Sequence, residues 1–200
     1  MCFVLFSRRK NQFLDPTDPT KYGLPSDYIF ASEKETKFGH VFYKAPPNLK
    51  VTWAEAKAYC EADGAQLPVP RSEQENSFFA NLRAYYDVWL GINDIEKEGE
   101  FVDLEGKPIS YTLWRTGEKG GPTQPDNGWG ERPYGDEDVV AIWSGRHAHW
   151  PKWFDRRTDE LAYVVCAFYP PPIDLGGKQN LSSKVRLPTR LSLYSYIFKK

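Results

Sequence analysis

The chain has 200 residues, 40% hydrophobic and 16% aromatic, with a formal net charge of −1. That length allows one domain with a real core plus flanking segments, and no apolar run approaches the length of a membrane span, so no transmembrane segment is expected. The charge is segregated: residues 171–200 carry six basic side chains against Asp174 alone, whereas residues 39–170 carry a net −7, which disfavours a nucleic-acid ligand and suits a hard cation.

Residues 1–38 read as an irregular N-terminal segment. "MCFVLF" is apolar but short and runs into "SRRK", without the basic n-region, full h-region or cleavage site of a signal peptide. "DPTDPTKYGLPSD" favours turns. A strand is expected in "GHVFYKA" from Gly39. "TWAEAKAYCEADG" predicts a helix, capped by Thr52 with Glu55 reaching back and stopped near Gly64. Trp53, Ala56 and Cys60 form its apolar face. "SEQENSFFANLRAYY" predicts a second helix with the same device in Ser72 and Glu75. After Asp87, "VWLGI", "EFVDL", "YTLW", "VVAIW" and "AYVVCAFY" read as short strands between Gly, Pro, Asn and Asp. Two helices followed by many strands indicate an α+β domain over 39–170. "PPP" at 170–172 marks its end, and 171–200 reads as a basic, flexible tail.

Between Trp114 and Val139 lies a long segment without periodicity, the kind of loop that carries function. Its stretch "QPDNGWGERPYGDED" places Asp136, Glu137 and Asp138 in a row with an aromatic ring nearby. Like charges so placed need open water or a cation. Asp94, Glu98, Gln124, Asp126, Asn127, Glu137, Asp138 and Asp155 could together meet the six to eight oxygens that calcium takes. Three cysteines and no CxxC give no zinc pattern, and the pair His147 and His149 reads as exposed or structural.

Five stretches in this order resemble the C-type lectin-like domain family over roughly 39–170: "TWAEAKAYC", "WLGI", "QPD", the Trp153 to Asp155 W-x-D, and "VVCAF". The resemblance implies a C-type lectin-like fold with short antiparallel sheets, chain ends close together and a long calcium-binding loop region. It also implies a disulfide between Cys60 and Cys166, which leaves Cys2 free or paired between chains. A sugar-binding calcium would take Gln124, Asp126, Glu137 and Asp155. An accessory calcium would take Asp94, Glu98, Asn127, Glu137 and Asp138. The family's tripeptide has a cis proline, and Gln-Pro-Asp goes with galactose-type sugars in it. Gln124 can donate a hydrogen bond where Asp126 can only accept, so the order of the two selects hydroxyl orientation. Trp129, in the Gly-rich insertion after the tripeptide, would stack on the apolar face of galactose.

The function implied is calcium-dependent binding of galactose or N-acetylgalactosamine-type glycans and glycoproteins, with Gln124, Asp126, Trp129 and Glu137 touching the sugar. The alternative is a protein-binding or structural module of the same fold that has lost sugar binding, because Phe154 stands where the family's W-N-D has Asn. No GxSxG, HExxH, phosphate-loop or dinucleotide fingerprint is present, so no enzyme is expected. The resemblance further implies a secreted, extracellular protein, with linked copies in a homo-oligomer supplying avidity.

Overall fold

The computed structural model describes residues 15–83, 86–117, 123–128, 136–143 and 151–171. The readings made on Cys2, Trp129, His147, His149 and the basic tail lie outside these residues. The described chain forms two sheets and three helices. A three-stranded antiparallel sheet has the order β1 (Ile29–Ala31), β2 (Val41–Lys44), β9 (Cys166–Phe168). A six-stranded sheet has the order β3 (Lys50–Val51), β8 (Ala162–Tyr163), β4 (Val88–Asn93), β6 (Val139–Trp143), β7 (Lys152–Arg156), with β5 (Val102–Asp103) also on β4.

Helix α2 (Trp53–Ala62) has the expected N-terminus: the Glu55 carboxylate accepts from the Thr52 N–H and O–H. Gly64 follows it with a φ of 76°, a left-handed position open to glycine. Helix α3 (Glu73–Asn81) departs in one detail. Ser72 Oγ accepts from Glu75 N–H, but the Glu75 carboxylate accepts from the Arg71 N–H instead of closing the box.

Within 1–38, the irregular segment expected from turn residues contains structure in its described part. A 3-10 turn (Pro19–Tyr22), strand β1 and the short helix α1 (Glu33–Thr36) are present. β1 pairs with β2 in the register Phe30↔Phe42, and Leu24 and Tyr28 are buried in the core. Lys44 bridges Asp27 and Asp63, both at 3.0 Å, and so pins this segment to the end of α2. "YTLW" is not a ladder strand. It runs beside β7, with Trp153 N–H donating to Leu113 O at 2.8 Å and Arg115 N–H donating to Trp153 O at 3.0 Å.

Strands β4 and β6 lie between two apolar clusters, which explains their unbroken hydrophobic runs. Trp89, Val139 and Ala141 face the cluster that holds Phe42, Trp53 and Cys60. Val88, Leu90, Ile92, Val140 and Ile142 face the cluster that holds Phe79 and Trp153. Each buried indole finds an acceptor: Trp53 on Leu90 O, Trp89 on Val51 O, and Trp153 on Asn76 Oδ1. Gly91 leaves no room for a side chain, since a Cβ there would sit 2.8 Å from Leu104 Cδ1 and 3.0 Å from Leu67 O. The disulfide Cys60–Cys166 ties α2 to β9 across 106 residues.

Candidate functional site

The site is built where the loop carrying Gln124 to Gly128 meets strand β7. Alternation along β7 buries Trp153 and Asp155 on one face and turns Lys152, Phe154 and Arg156 to the other. Asp155 is only 3% exposed. Its Oδ2 accepts the N–H groups of Asp126 and Asn127, each at 2.8 Å. Gln124, 7% exposed, accepts the Asp155 N–H on Oε1 at 3.2 Å, and its own N–H donates to Arg115 O at 2.9 Å. The Gln124–Pro125 bond is cis.

Asn127 and Gly128 both have positive φ, 47° and 77°. This turns the loop so that Asn127 Oδ1 accepts the Glu137 N–H and Glu137 Oε2 accepts the Gly128 N–H, both at 2.8 Å. The result gathers Asp126, Glu137 and Asp155, whose facing oxygens lie within 4.8 Å of one another.

This arrangement is costly without a counter-charge. Asp126 Oδ2 and Asp155 Oδ1 are buried and have no hydrogen-bond partner in the protein. Burial raises Asp155 above the usual carboxylate range, against the pull of the Asn127 and Asp126 N–H groups, and the Asp126 charge adds to the rise. Burial pushes Glu137 up to about 7, opposed by the Gly128 N–H and reinforced by Asp155 and Asp126. Unsatisfied carboxylate oxygens at close quarters, with no nitrogen or sulfur donor among them, fit a hard cation.

The remaining expected ligands sit close by but do not join this group. Asp94, 1% exposed, accepts the Gly99 N–H on Oδ2 at 2.8 Å and leaves Oδ1 buried without a partner. Its N–H donates to Asp138 O at 3.0 Å. Burial raises Asp94, Glu98 and Asp138, and the neighbouring acids add to each. Among the described residues, only Asp126, Glu137 and Asp155 bring three such oxygens together. A depression of about 590 Å³ lies elsewhere, beside Glu35, Ser77 and Phe78 between α1 and α3. It lacks the grouped acids.

Arg115 was not singled out by the sequence. Its role here comes from its backbone, which joins Gln124 to Trp153, and backbone pairing leaves no mark on residue type. Phe154 packs edge-on to Trp143 at 5.4 Å, with the Arg115 and Arg156 guanidinium groups 5.7 and 5.6 Å from its ring centre.

The family model for the lectin C-type domain matches residues 49–168. Asialoglycoprotein receptor 2 of Mus musculus is 32% identical over 116 residues, covering 58% of this chain and 35% of the relative. Tetranectin of Mus musculus is 36% identical over 123 residues, covering 58% and 54%. The chain thus spans between about a third and a half of these relatives. The carbohydrate-recognition domain of the mouse scavenger receptor C-type lectin superposes with a TM-score of 0.58 at 24% identity, covering 74% of this chain and all of that one. With this fold and this family match, the chain belongs to the C-type lectin domain family, a carbohydrate-binding and non-enzymatic family.

Proposed function

We propose that this domain binds glycans of galactose type in a calcium-dependent manner, as an extracellular lectin. The observation that carries the reading is the convergence of Asp126, Glu137 and Asp155 with two buried, unpartnered carboxylate oxygens, where the loop that presents Gln-Pro-Asp meets β7. Asp126, Glu137 and Asp155 would hold the ion, with Gln124 beside them. Asp94, Glu98, Asn127 and Asp138 would form the accessory set, joined through Glu137. Bound calcium would supply a hard positive charge open to two neighbouring sugar hydroxyls. The residues do the selecting. Gln124 can donate from its amide, whereas Asp126 and Glu137 accept, so a hydroxyl pair must present matching donors and acceptors. Trp129 would cover the apolar face of the sugar.

A name built on asialoglycoprotein, in a relative 32% identical, supports a glycoprotein ligand. The Cys60–Cys166 disulfide supports an oxidising, extracellular setting. The domain itself is proposed to run to residue 170, with the tail beyond it free to link copies.

Calorimetric titration with calcium, then with galactose in calcium and in chelator, tests the proposal. The expected result is calcium binding followed by galactose binding that chelator abolishes. Calcium uptake without sugar binding would favour the protein-binding alternative that Phe154 raises. No calcium uptake would overturn the calcium-dependent lectin reading.

A further inference from the structure

We propose a second glycan site, independent of calcium, in a depression where the connection between β1 and β2 meets the start of α3. It takes the acidic group of a sugar, a carboxylate or a sulfate ester. It shares no residue with the carboxylate cluster and stands apart from the calcium reading. It rests only on the chain's membership of a carbohydrate-binding family.

The depression holds about 510 Å³, enough to enclose a small ligand, and adjoins the one lined by Ser77 and Phe78. Local structure fixes its walls. Lys37 ends α1 in the left-handed region, with φ 67°, and Thr36 Oγ1 accepts the N–H groups of Phe38 and Gly39 at 3.3 and 3.2 Å. Phe38 packs edge-on to Phe78 at 5.6 Å, which fastens this turn to α3. Lys37 and His40 therefore line the depression from the turn, and Arg71 and Ser72 line it from the start of α3. Tyr169, directly after β9, completes it, with the Arg71 guanidinium 5.3 Å from its ring centre.

Two observations set the chemistry of the ligand. Lys37, His40 and Arg71 line one depression of an otherwise acidic domain, and among the described residues none of the three has an ion-pair partner. The single acid in the lining, Glu75, is 5% exposed, and its carboxylate accepts the Arg71 N–H. Burial raises Glu75 toward its neutral form, against the pull of that N–H and of the Arg71 charge, so positive charge dominates the lining. The second observation is the Tyr169 hydroxyl, which is buried without a hydrogen-bond partner and so costs free energy until an acceptor arrives. Unpaired cations and an unused hydroxyl donor together suit an oxyanion. Ser72 and Gln74 supply polar groups for the hydroxyls of the sugar that carries it.

The test titrates the full chain, in chelator, with N-acetylneuraminic acid, a galactose sulfate monoester, galactose and inorganic sulfate. Weak binding of at least one acidic sugar is expected, and the two acidic arms tell a carboxylate from a sulfate ester. Galactose is expected to be silent in chelator. Arg71→Gln and Lys37→Asn should each weaken the binding about tenfold, Asn being chosen because it tolerates the left-handed backbone of position 37. Tyr169→Phe keeps the ring beside Arg71, should melt no lower than wild type, and should bind about fivefold more weakly. It decides the matter if the other variants fail to fold. All three variants should leave any calcium-dependent galactose binding unchanged, so the failure of one site is read separately from the failure of the other. The proposal is overturned if neither acidic sugar binds in chelator, or if affinity is unchanged in both Arg71→Gln and Tyr169→Phe. Inorganic sulfate bound as tightly as the sulfated sugar would also overturn it, as the mark of an adventitious ion only.

Discussion

Two regions of this molecule are stabilised by opposite means. The body around Trp89 and Trp153 buries apolar side chains against each other and gives each indole an acceptor. The loop region around Asp155 buries carboxylates against each other and leaves oxygens unpaired. The first stores favourable burial energy, and the second stores repulsion. The contrast teaches that the loop acids lean on the body: Asp155 is carried by β7, and Glu137 and Asp138 lie directly before β6.

Breaking the body should cost most. Replacing Cys60 and Cys166 together by Ala releases a span of 106 residues and is expected to lower stability by about 4 kcal/mol, read from denaturant midpoints. Gly91→Ala forces a methyl against Leu104 and the Leu67 carbonyl in the middle of β4, and is expected to cost about 2 kcal/mol by the same measurement.

The pH dependence sharpens the contrast, because the loop carboxylates have the reverse of the usual sign. Glu137 rises in the folded protein to about 7 from its ordinary value of 4.5. A folded state that holds its proton more tightly than the unfolded chain is favoured at low pH. That contribution is fully present below the unfolded value and is lost as pH rises through about 7. Asp155 and Asp94 are raised in the same direction. Melting temperatures of the calcium-free protein should therefore lose ground between the unfolded value of Glu137 and neutrality. Added calcium should raise them at neutral pH and lose its effect in acid, where protons compete for the same oxygens. Calcium that still stabilises fully in acid would contradict this.

The smallest effect on the body is expected from Glu137→Gln. A Gln can still accept the Gly128 N–H but carries no charge beside Asp126 and Asp155. The calcium-free variant should melt no lower than wild type, while the rise on adding calcium disappears. A clear loss of calcium-free stability would show that Glu137 serves the body and not the loops.

The fold was legible where periodicity or capping was strong. Thr52 with Glu55, the apolar face through Trp53, Ala56 and Cys60, and the run "VWLGI" each pointed to the element that formed. The N-terminal part was less legible. "SEKE" at Ser32 to Glu35 has the same capping spacing as the longer helices, and Glu35 does accept from Ser32, but four residues carry no apolar period. β1 has three residues and depends on β2 for its pairing, which only long-range contact supplies. For the site, residue chemistry suggested the acids as a set. Residue chemistry alone could not divide them, and only the family resemblance did, because the gathering of Asp126, Glu137 and Asp155 depends on the positive φ of Asn127 and Gly128 and on two backbone N–H groups reaching one carboxylate.

The three-stranded sheet also decides how this domain carries mechanical load. Ile29 of β1 and Ala167 of β9 lie in one row across Tyr43 of β2, two strand spacings or about 10 Å apart. β1 and β9 are each antiparallel to β2 and hence parallel to each other. Tension applied through the two ends of the domain would pull them in opposite directions along their length. The hydrogen bonds of β2 would then be loaded together in shear, backed by the covalent link from β9 to α2. That force path runs through the small sheet and bypasses β7 and the acidic loops, so a domain tethered under tension would keep those loops at rest.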